Sequence, residues 1–156
     1  MAIVEGKRSN RAIRRVLRSG EVENIHWYLK TDPDFDAFTY SRCHRLLRRT
    51  LRLDDVLFFR TLWRGRPYII GYFTIVGIVW PKENPVILAS KERSPLIHYA
   101  LPVTSSLVRL LNPRAAGPRT CSFNHWVNAR LGRNYMRLDA PAAAYLKALI
   151  DDKAAP

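Results

Sequence analysis

The chain of 156 residues has only two cysteines, Cys43 and Cys121, and no long hydrophobic segment. Two cysteines can form one disulfide at most, so a disulfide scaffold is excluded. The longest mainly apolar run, Tyr68–Trp80, is shorter than the roughly 20 residues needed to cross a bilayer. The basic segment Met1–Gly20 lacks the apolar stretch of a secretory signal. We therefore expect a cytoplasmic protein with reduced thiols and no membrane partner.

Acidic residues are also scarce. There are 13 Asp and Glu residues against 26 Lys and Arg residues, and the formal net charge is +13. Such an excess favours a polyanionic partner, nucleic acid before a membrane surface. Most of the basic residues are arginines, whose planar guanidinium groups bind phosphates and stack on bases. The alternative is a basic protein whose charge serves mainly solubility.

The usual catalytic motifs are missing: the sequence has no Gly-x-Ser-x-Gly, no phosphate-binding glycine loop and no His-Glu-x-x-His. The pairs Cys43–His44 and Cys121–His125 do not have the spacing of common zinc sites. Three alternating aspartates around Pro33 are typical of a turn. The sequence thus predicts neither a metal nor a cofactor, and it makes a binding protein the stronger hypothesis than an enzyme.

Hydrophobic periodicity predicts a basic N-terminal helix or arm over residues 1–20, one domain over 21–151 and a short tail over 152–156. Strands are predicted at Asn24–Lys30, Val56–Leu62, Tyr68–Trp80 and Tyr135–Leu138 from their β-branched and aromatic content. A hairpin loop containing Gly65 joins the second and third of these strands. Gly71 and Gly77 lie inside the long strand, where they indicate bulges or sharp bends.

Helices are predicted between and after these strands. The predicted segments are Arg8–Ser19, Arg42–Arg52, a short stretch opening at Ser94–Pro95, Thr104–Leu111, Ser122–Leu131 and a final helix beginning at Asp139–Pro141. In the final helix, Tyr145, Leu146, Leu149 and Ile150 are spaced to pack on the core. The mixed order of elements predicts an α+β fold, a curled sheet or small barrel flanked by helices.

Aromatic and basic residues are interleaved at several strand ends, and some of them are candidates for a base-binding pocket. Stacking on an aromatic ring contributes about 1–3 kcal/mol per base, and extrusion of a base from a duplex costs a few kcal/mol. Two aromatic walls with one or two hydrogen bonds to the base edge would therefore offset extrusion. The alternative is that all these rings belong to the core.

Four segments resemble known domains. Residues His26–Asp34 (HWYLKTDPD) resemble the opening of EVE domains. Leu53–Phe59 (LDDVLFF) and Tyr68–Val76 (YIIGYFTIV) are similar to the paired strands of PUA-like domains, although Asp54 stands where that pattern usually has glycine. Asp34–Tyr40 (DFDAFTY), taken with the strand that follows, most resembles the nucleotide-modification-associated domains of the same group. The resemblance covers roughly a third of the chain.

This resemblance implies a PUA-like fold, a small bent β-barrel flanked by helices, with a pocket that accepts a nucleobase, often a modified one. It assigns the strand leading into the pocket, the polar residues that read the base or a phosphate, and the pocket rim; the aromatic pattern adds Tyr40. The resulting base-pocket residues are Trp27, Tyr28, Lys30, Thr31, Asp32, Tyr40, Arg60 and Trp63. Phosphate contacts are expected from the basic faces of the first two predicted helices, at Arg11, Arg14, Arg15, Arg18, Arg45, Arg48, Arg49 and Arg52.

The leading hypothesis is a nucleic-acid-binding module, for DNA or RNA, that recognises a nucleobase in an aromatic pocket. A second hypothesis is a hydrolase resembling ASCH relatives, which would act on modified nucleosides or RNA with Lys30, Thr31 and Asp32 and one further carboxylate. A third is a general RNA-binding protein without a base pocket. The sequence alone does not choose between DNA and RNA as the partner.

Overall fold

The computed structural model describes residues 2–7, 13–16, 22–24, 33–41, 50–63, 65–80, 85–114, 122–131 and 135–154. These residues form nine strands and three helices. The strands are β1 (Ala2–Lys7), β2 (Ile13–Val16), β3 (Val22–Asn24), β4 (Thr39–Tyr40), β5 (Val56–Trp63), β6 (Arg66–Val79), β7 (Val86–Ala89), β8 (Leu96–Pro102) and β9 (Tyr135–Leu138). The helices are α1 (Ser105–Leu111), α2 (Phe123–Arg130) and α3 (Ala140–Ala154).

Hydrogen bonds connect seven strands in the order β2-β3-β8-β6-β5-β1-β9, and β7 joins β6 to β4. The β1–β5 pair is parallel, and the other pairs are antiparallel. Within the described ranges this sheet does not close, since β2 and β9 each have a neighbour on one side only. The α+β fold class is therefore confirmed, whereas a small barrel is not.

The hairpin of β5 and β6 forms the centre of the sheet, as the sequence predicts. Trp63 pairs with Arg66 across a short loop in which Gly65 has φ 74°, the left-handed region that glycine adopts without strain. The register between the strands shifts by one residue opposite Gly71, and the register between β6 and β7 shifts next to Gly77. Both predicted irregularities are thus confirmed as bulges.

The sheet is buried on both faces because side chains alternate along β5 and β6. On the helix face, Phe58 and Tyr72 belong to a core formed with the three helices. On the opposite face, which we call the loop face, Phe59 and Phe73 pack against residues from the 33–41 segment. The ring centroids of Phe35 and Phe73 are 4.5 Å apart.

Local signals placed the helix starts correctly. Thr104 Oγ1 accepts a hydrogen bond from Leu107 N (3.1 Å), and Ser122 Oγ accepts one from His125 N (3.3 Å). Both side chains satisfy backbone donors that a helix leaves free in its first turn. At the start of α3, Asp139 Oδ1 accepts from Ala142 N at 2.9 Å. The cap predictions are therefore confirmed.

Three expectations from periodicity were wrong. Within the predicted helix Arg8–Ser19, residues Ile13–Val16 form strand β2 and pair with β3. The segment after Ser94–Pro95 is strand β8, because its backbone pairs with β6 and β3. Tyr145 is 45% exposed, whereas Leu146 and Ile150 of the same helix are fully buried. Long-range pairing overrides the local preference in the first two cases.

Several expectations lie largely outside the described residues. They include the predicted strand after Asn24 and the predicted helix Arg42–Arg52, of which only the last residues are described. Thr50–Arg52 are not helical. The strand β1, which falls within the predicted N-terminal arm, lies between β5 and β9 in the sheet. In the part of the chain that is described, no helix has the length and apolar character needed to span a bilayer.

We expect Gly71→Ala to lower the free energy of unfolding by about 1–3 kcal/mol, the usual cost of overpacking a core. A Cβ atom at Gly71 would overlap the Pro95 carbonyl oxygen and lie 3.1 Å from Phe35 Cζ. Gly77→Ala is the matched control, because its Cβ would meet only the end of the Leu88 side chain, at 3.3 Å. Denaturant unfolding measures both variants, and equal losses would contradict a special close approach at Gly71.

Candidate functional site

A cavity of about 530 Å³ opens at the end of the sheet where the β5–β6 hairpin turns. We call it the hairpin cavity. Its walls come from the hairpin, the end of β8, the start of α1 and the start of α2; they are formed by Gly65, Arg66, Pro67, Tyr68, Pro102, Val103, Thr104, Ser122, Phe123 and Asn124. Its volume lies within the range of about 300–1,000 Å³ typical of small-ligand sites.

Backbone pairing holds these walls together. Tyr68 of β6 is the register partner of Pro102 of β8. Just beyond that pair, Val103 N donates to the Pro67 carbonyl oxygen at 3.0 Å. Thr104 then caps α1, so the chain turns into a helix directly beside the hairpin. The cavity is therefore built on hydrogen-bonded elements, which hold site residues more accurately than free loops do.

The cavity walls are mainly apolar, with a few polar groups. Tyr68 is 7% exposed and Phe123 is half-buried, with its ring centroid 5.6 Å from that of Trp126. Arg66 is exposed and therefore lies at the rim. Asn124 supplies an amide to the lining. An apolar pocket with few polar groups and a cation at its edge suits a planar ligand that carries a phosphate.

Arg60, one of the sequence-predicted pocket residues, lies under α2. It is 3% exposed, and its Nη2 donates to Asn128 Oδ1 at 3.0 Å. Burial lowers the pKa of its guanidinium to about 10. Arg60 is not among the described residues that line the hairpin cavity. Its predicted role at a pocket rim is not supported by this position.

Tyr40 and Trp63 are the other predicted pocket residues that the structure describes. Tyr40 is fully buried on the loop face, with its ring 5.3 Å from that of Phe59 at an interplanar angle of 77°. The backbone of Trp63 lies at the hairpin, paired with Arg66 of the cavity rim. Its side chain lies outside the description. The structure therefore brings Trp63, but not Tyr40, to the same end of the sheet as the hairpin cavity.

The remaining predicted pocket residues lie outside the described ranges, so their roles stay predictions. They are Trp27, Tyr28, Lys30, Thr31 and Asp32. The same holds for five of the predicted phosphate-binding arginines, Arg11, Arg18, Arg45, Arg48 and Arg49. The candidate metal ligands Cys43, His44 and Cys121 also lie outside; the described residues include no group of three or more potential metal ligands.

Three predicted phosphate-binding residues are placed. Arg14 and Arg15 lie in β2, which among the described strands pairs only with β3 and so forms one edge of the sheet. β3 pairs in turn with β8, whose last residue Pro102 lines the hairpin cavity. Arg52 is exposed, ahead of β5. The pair in β2 therefore lies two strands from a wall of the cavity.

A second cavity, also about 530 Å³, lies between β6 and the last turns of α3. Tyr72 OH donates to Asp151 Oδ1 and Lys147 Nζ donates to Asp151 Oδ2, each at 2.7 Å. Across the cavity, Arg93 Nη1 donates to Asp54 Oδ1 at 3.0 Å. Asp54 has φ 65°, the conformation expected where the PUA-like pattern has glycine. These bonds fasten α3 and the 90–95 segment to the sheet.

Sequence reasoning missed most of the lining of the hairpin cavity. Tyr68, Phe123 and Asn124 were not predicted as site residues, because the walls come from segments far apart in the sequence. A signal was present at each segment: Gly65 marks a tight turn, and Ser122 marks the start of a helix. Only the pairing of β6 with β8 brings these signals together.

Comparisons with known proteins returned nothing: no family model, no curated protein and no solved structure matches the chain. The likeness to PUA-like domains therefore depends on the sequence segments alone. Function must be argued from the geometry and charge of the described residues.

We expect stability to fall above about pH 10, and to fall less steeply in Tyr72→Phe. Burial raises the pKa of Tyr72, and the hydrogen bond to Asp151 raises the pKa of Lys147. Both groups hold their protons more tightly when folded, so their contribution is complete below about pH 10 and is lost as pH rises through the raised pKa values. Denaturant unfolding between pH 8 and 11 measures this. Tyr145→Phe, at an exposed position, is the control; equal slopes in all three proteins would contradict the prediction.

Proposed function

We propose that this protein is a nucleic-acid-binding module that accepts one nucleobase in the hairpin cavity and holds the phosphate backbone with arginine side chains. The observation that carries the proposal is the cavity itself: about 530 Å³, lined by Tyr68 and Phe123, with the exposed Arg66 at its rim. A base is planar and apolar on both faces, and its phosphate is anionic, which matches these three features.

The balance of energies favours an unpaired base. Aromatic stacking contributes about 1–3 kcal/mol per base, and a base already outside a duplex needs no extrusion energy. The net charge of +13 then supplies long-range attraction to the strand. Single-stranded nucleic acid, or a strand with an unpaired base, is therefore the proposed partner rather than intact duplex.

The position of the basic residues supports the same partner. Arg66 lies at the cavity rim, and Arg14 and Arg15 lie in the edge strand two strands away from its β8 wall. A strand that enters the cavity with one base would pass close to this edge. The PUA-like relationship is part of the proposal; the β5–β6 hairpin with its bulges, within the segment that carries the resemblance, is compatible with it.

We expect binding to single-stranded oligonucleotides to weaken steeply as salt rises, with a log–log slope of about 0.7 for each phosphate contacted. Arg66→Ala should weaken binding several-fold and reduce the slope by about 0.7, since it removes one contact. Fluorescence anisotropy at salt concentrations between about 50 and 200 mM measures both quantities.

The matched control for Arg66 is Arg137→Ala. Arg137 is also exposed but lies in β9, three strands away from β6. This variant removes the same charge from the protein and should bind almost as the wild type does. Equal effects of the two substitutions would show that only net charge matters, and a flat salt response would remove the electrostatic basis of the proposal.

A base pocket also predicts dependence on the base itself. We expect a ten-nucleotide single strand to bind at least fivefold more tightly than a strand of the same length made entirely of abasic nucleotides. Both carry the same phosphates, so the difference measures contacts to bases. Equal affinities would favour the general RNA-binding hypothesis, in which charge alone retains the strand.

A further inference from the structure

Asn124 occupies the second position of α2 and lines the hairpin cavity. Its Oδ1 atom is closed off from solvent and accepts no hydrogen bond. Buried polar atoms are nearly always paired, and each exception requires an explanation. An acceptor left unpaired beside a cavity indicates that something else provides the donor.

The neighbouring asparagines show what a structural role looks like in this protein. Asn128, one helical turn further along α2, accepts from Arg60 with its Oδ1. Asn112 uses both ends of its amide: Nδ2 donates to the Arg130 carbonyl oxygen, and Oδ1 accepts from Arg114 N. The cap of α2 is already provided by Ser122. Asn124 therefore has none of the structural tasks that its neighbours perform.

Rotation of the side chain makes the amide available to a ligand. The final torsion of asparagine is broad and has no steep wells, so the amide turns at little cost. Asn124 already lines the cavity, and rotation about this bond exchanges the positions of Oδ1 and Nδ2. An asparagine amide presents an acceptor and a donor side by side, and it pairs with a base edge that presents the complementary two groups.

We propose that Asn124 is a specificity-determining residue that pairs with the hydrogen-bonding edge of the bound base. The ligand it selects is a nucleobase with an unsubstituted N–H next to an acceptor; a base whose N–H is alkylated is rejected. This inference depends on the proposed function for the presence of a base in the cavity. It adds which edge of the base is read, and by which residue.

The test uses nucleosides, which carry no phosphate and therefore report on the cavity alone. The probes are two matched pairs: adenosine with N6,N6-dimethyladenosine, and thymidine with N3-methylthymidine. In each pair, methylation removes the N–H donor and leaves the ring. Binding to the full chain is followed by chemical-shift titration, for wild type and for Asn124→Leu, which has a similar shape and no hydrogen-bonding groups.

We expect wild type to bind the unmethylated member of at least one pair five- to tenfold more tightly, the range of one good amide–base contact. Asn124→Leu should bind both members of that pair equally. Asn124→Ala, with its fold verified by the amide spectrum, is the second variant, in case leucine disturbs the helix start.

Three results would overturn the inference: no discrimination by wild type, discrimination that persists in both variants, or no binding of any nucleoside. Failure of the proposed function is a separate observation. In that case the oligonucleotides themselves would bind without salt dependence or not at all. A protein that binds oligonucleotides with a steep salt response, yet does not distinguish the nucleoside pairs, would keep the proposed partner and lose the role of Asn124.

Discussion

Strand β6 is constrained on every side, and the other elements are arranged around it. It pairs with β5 along one edge, and along the other it pairs first with β8 and then with β7. Its side chains are buried on both faces, Tyr72 on the helix face and Phe73 on the loop face. A strand in this position cannot shift by one residue without moving every side chain to the wrong face. The register of β6 therefore determines where its neighbours begin and end.

The bulge at Gly71 is what allows β6 to serve two partners. There the backbone comes so close to Pro95 that no side chain can be accommodated, and Tyr72 N donates to the Pro95 carbonyl oxygen at 3.2 Å. A bulge bends its strand and increases the local twist. Before the bulge β6 lies beside β8, and after it β6 lies beside β7. The first half of the strand, with its neighbour β8, then forms walls of the hairpin cavity.

The parts of this fold that local chemistry decides were predictable from the sequence. The β5–β6 hairpin, its bulges and the caps at Thr104 and Ser122 each depend on a few adjacent residues. Strands β2 and β8 were predicted as helices, because their identity depends on partners distant in the chain. The hairpin cavity was missed for the same reason: Tyr68 and Asn124 are 56 positions apart and meet only after the sheet has formed.

In the proposed function, affinity and discrimination come from different groups. Arg66 and the basic edge strand act on phosphates, which every strand carries, so their contribution does not depend on sequence. Asn124 and the aromatic walls act on a single base and contribute little until the strand has already been captured. Charge interactions reach about 10 Å at physiological salt, whereas a hydrogen bond requires contact. The protein would therefore capture a strand first and sample its bases afterwards, so a modest preference in the cavity is sufficient to select among bases already held nearby.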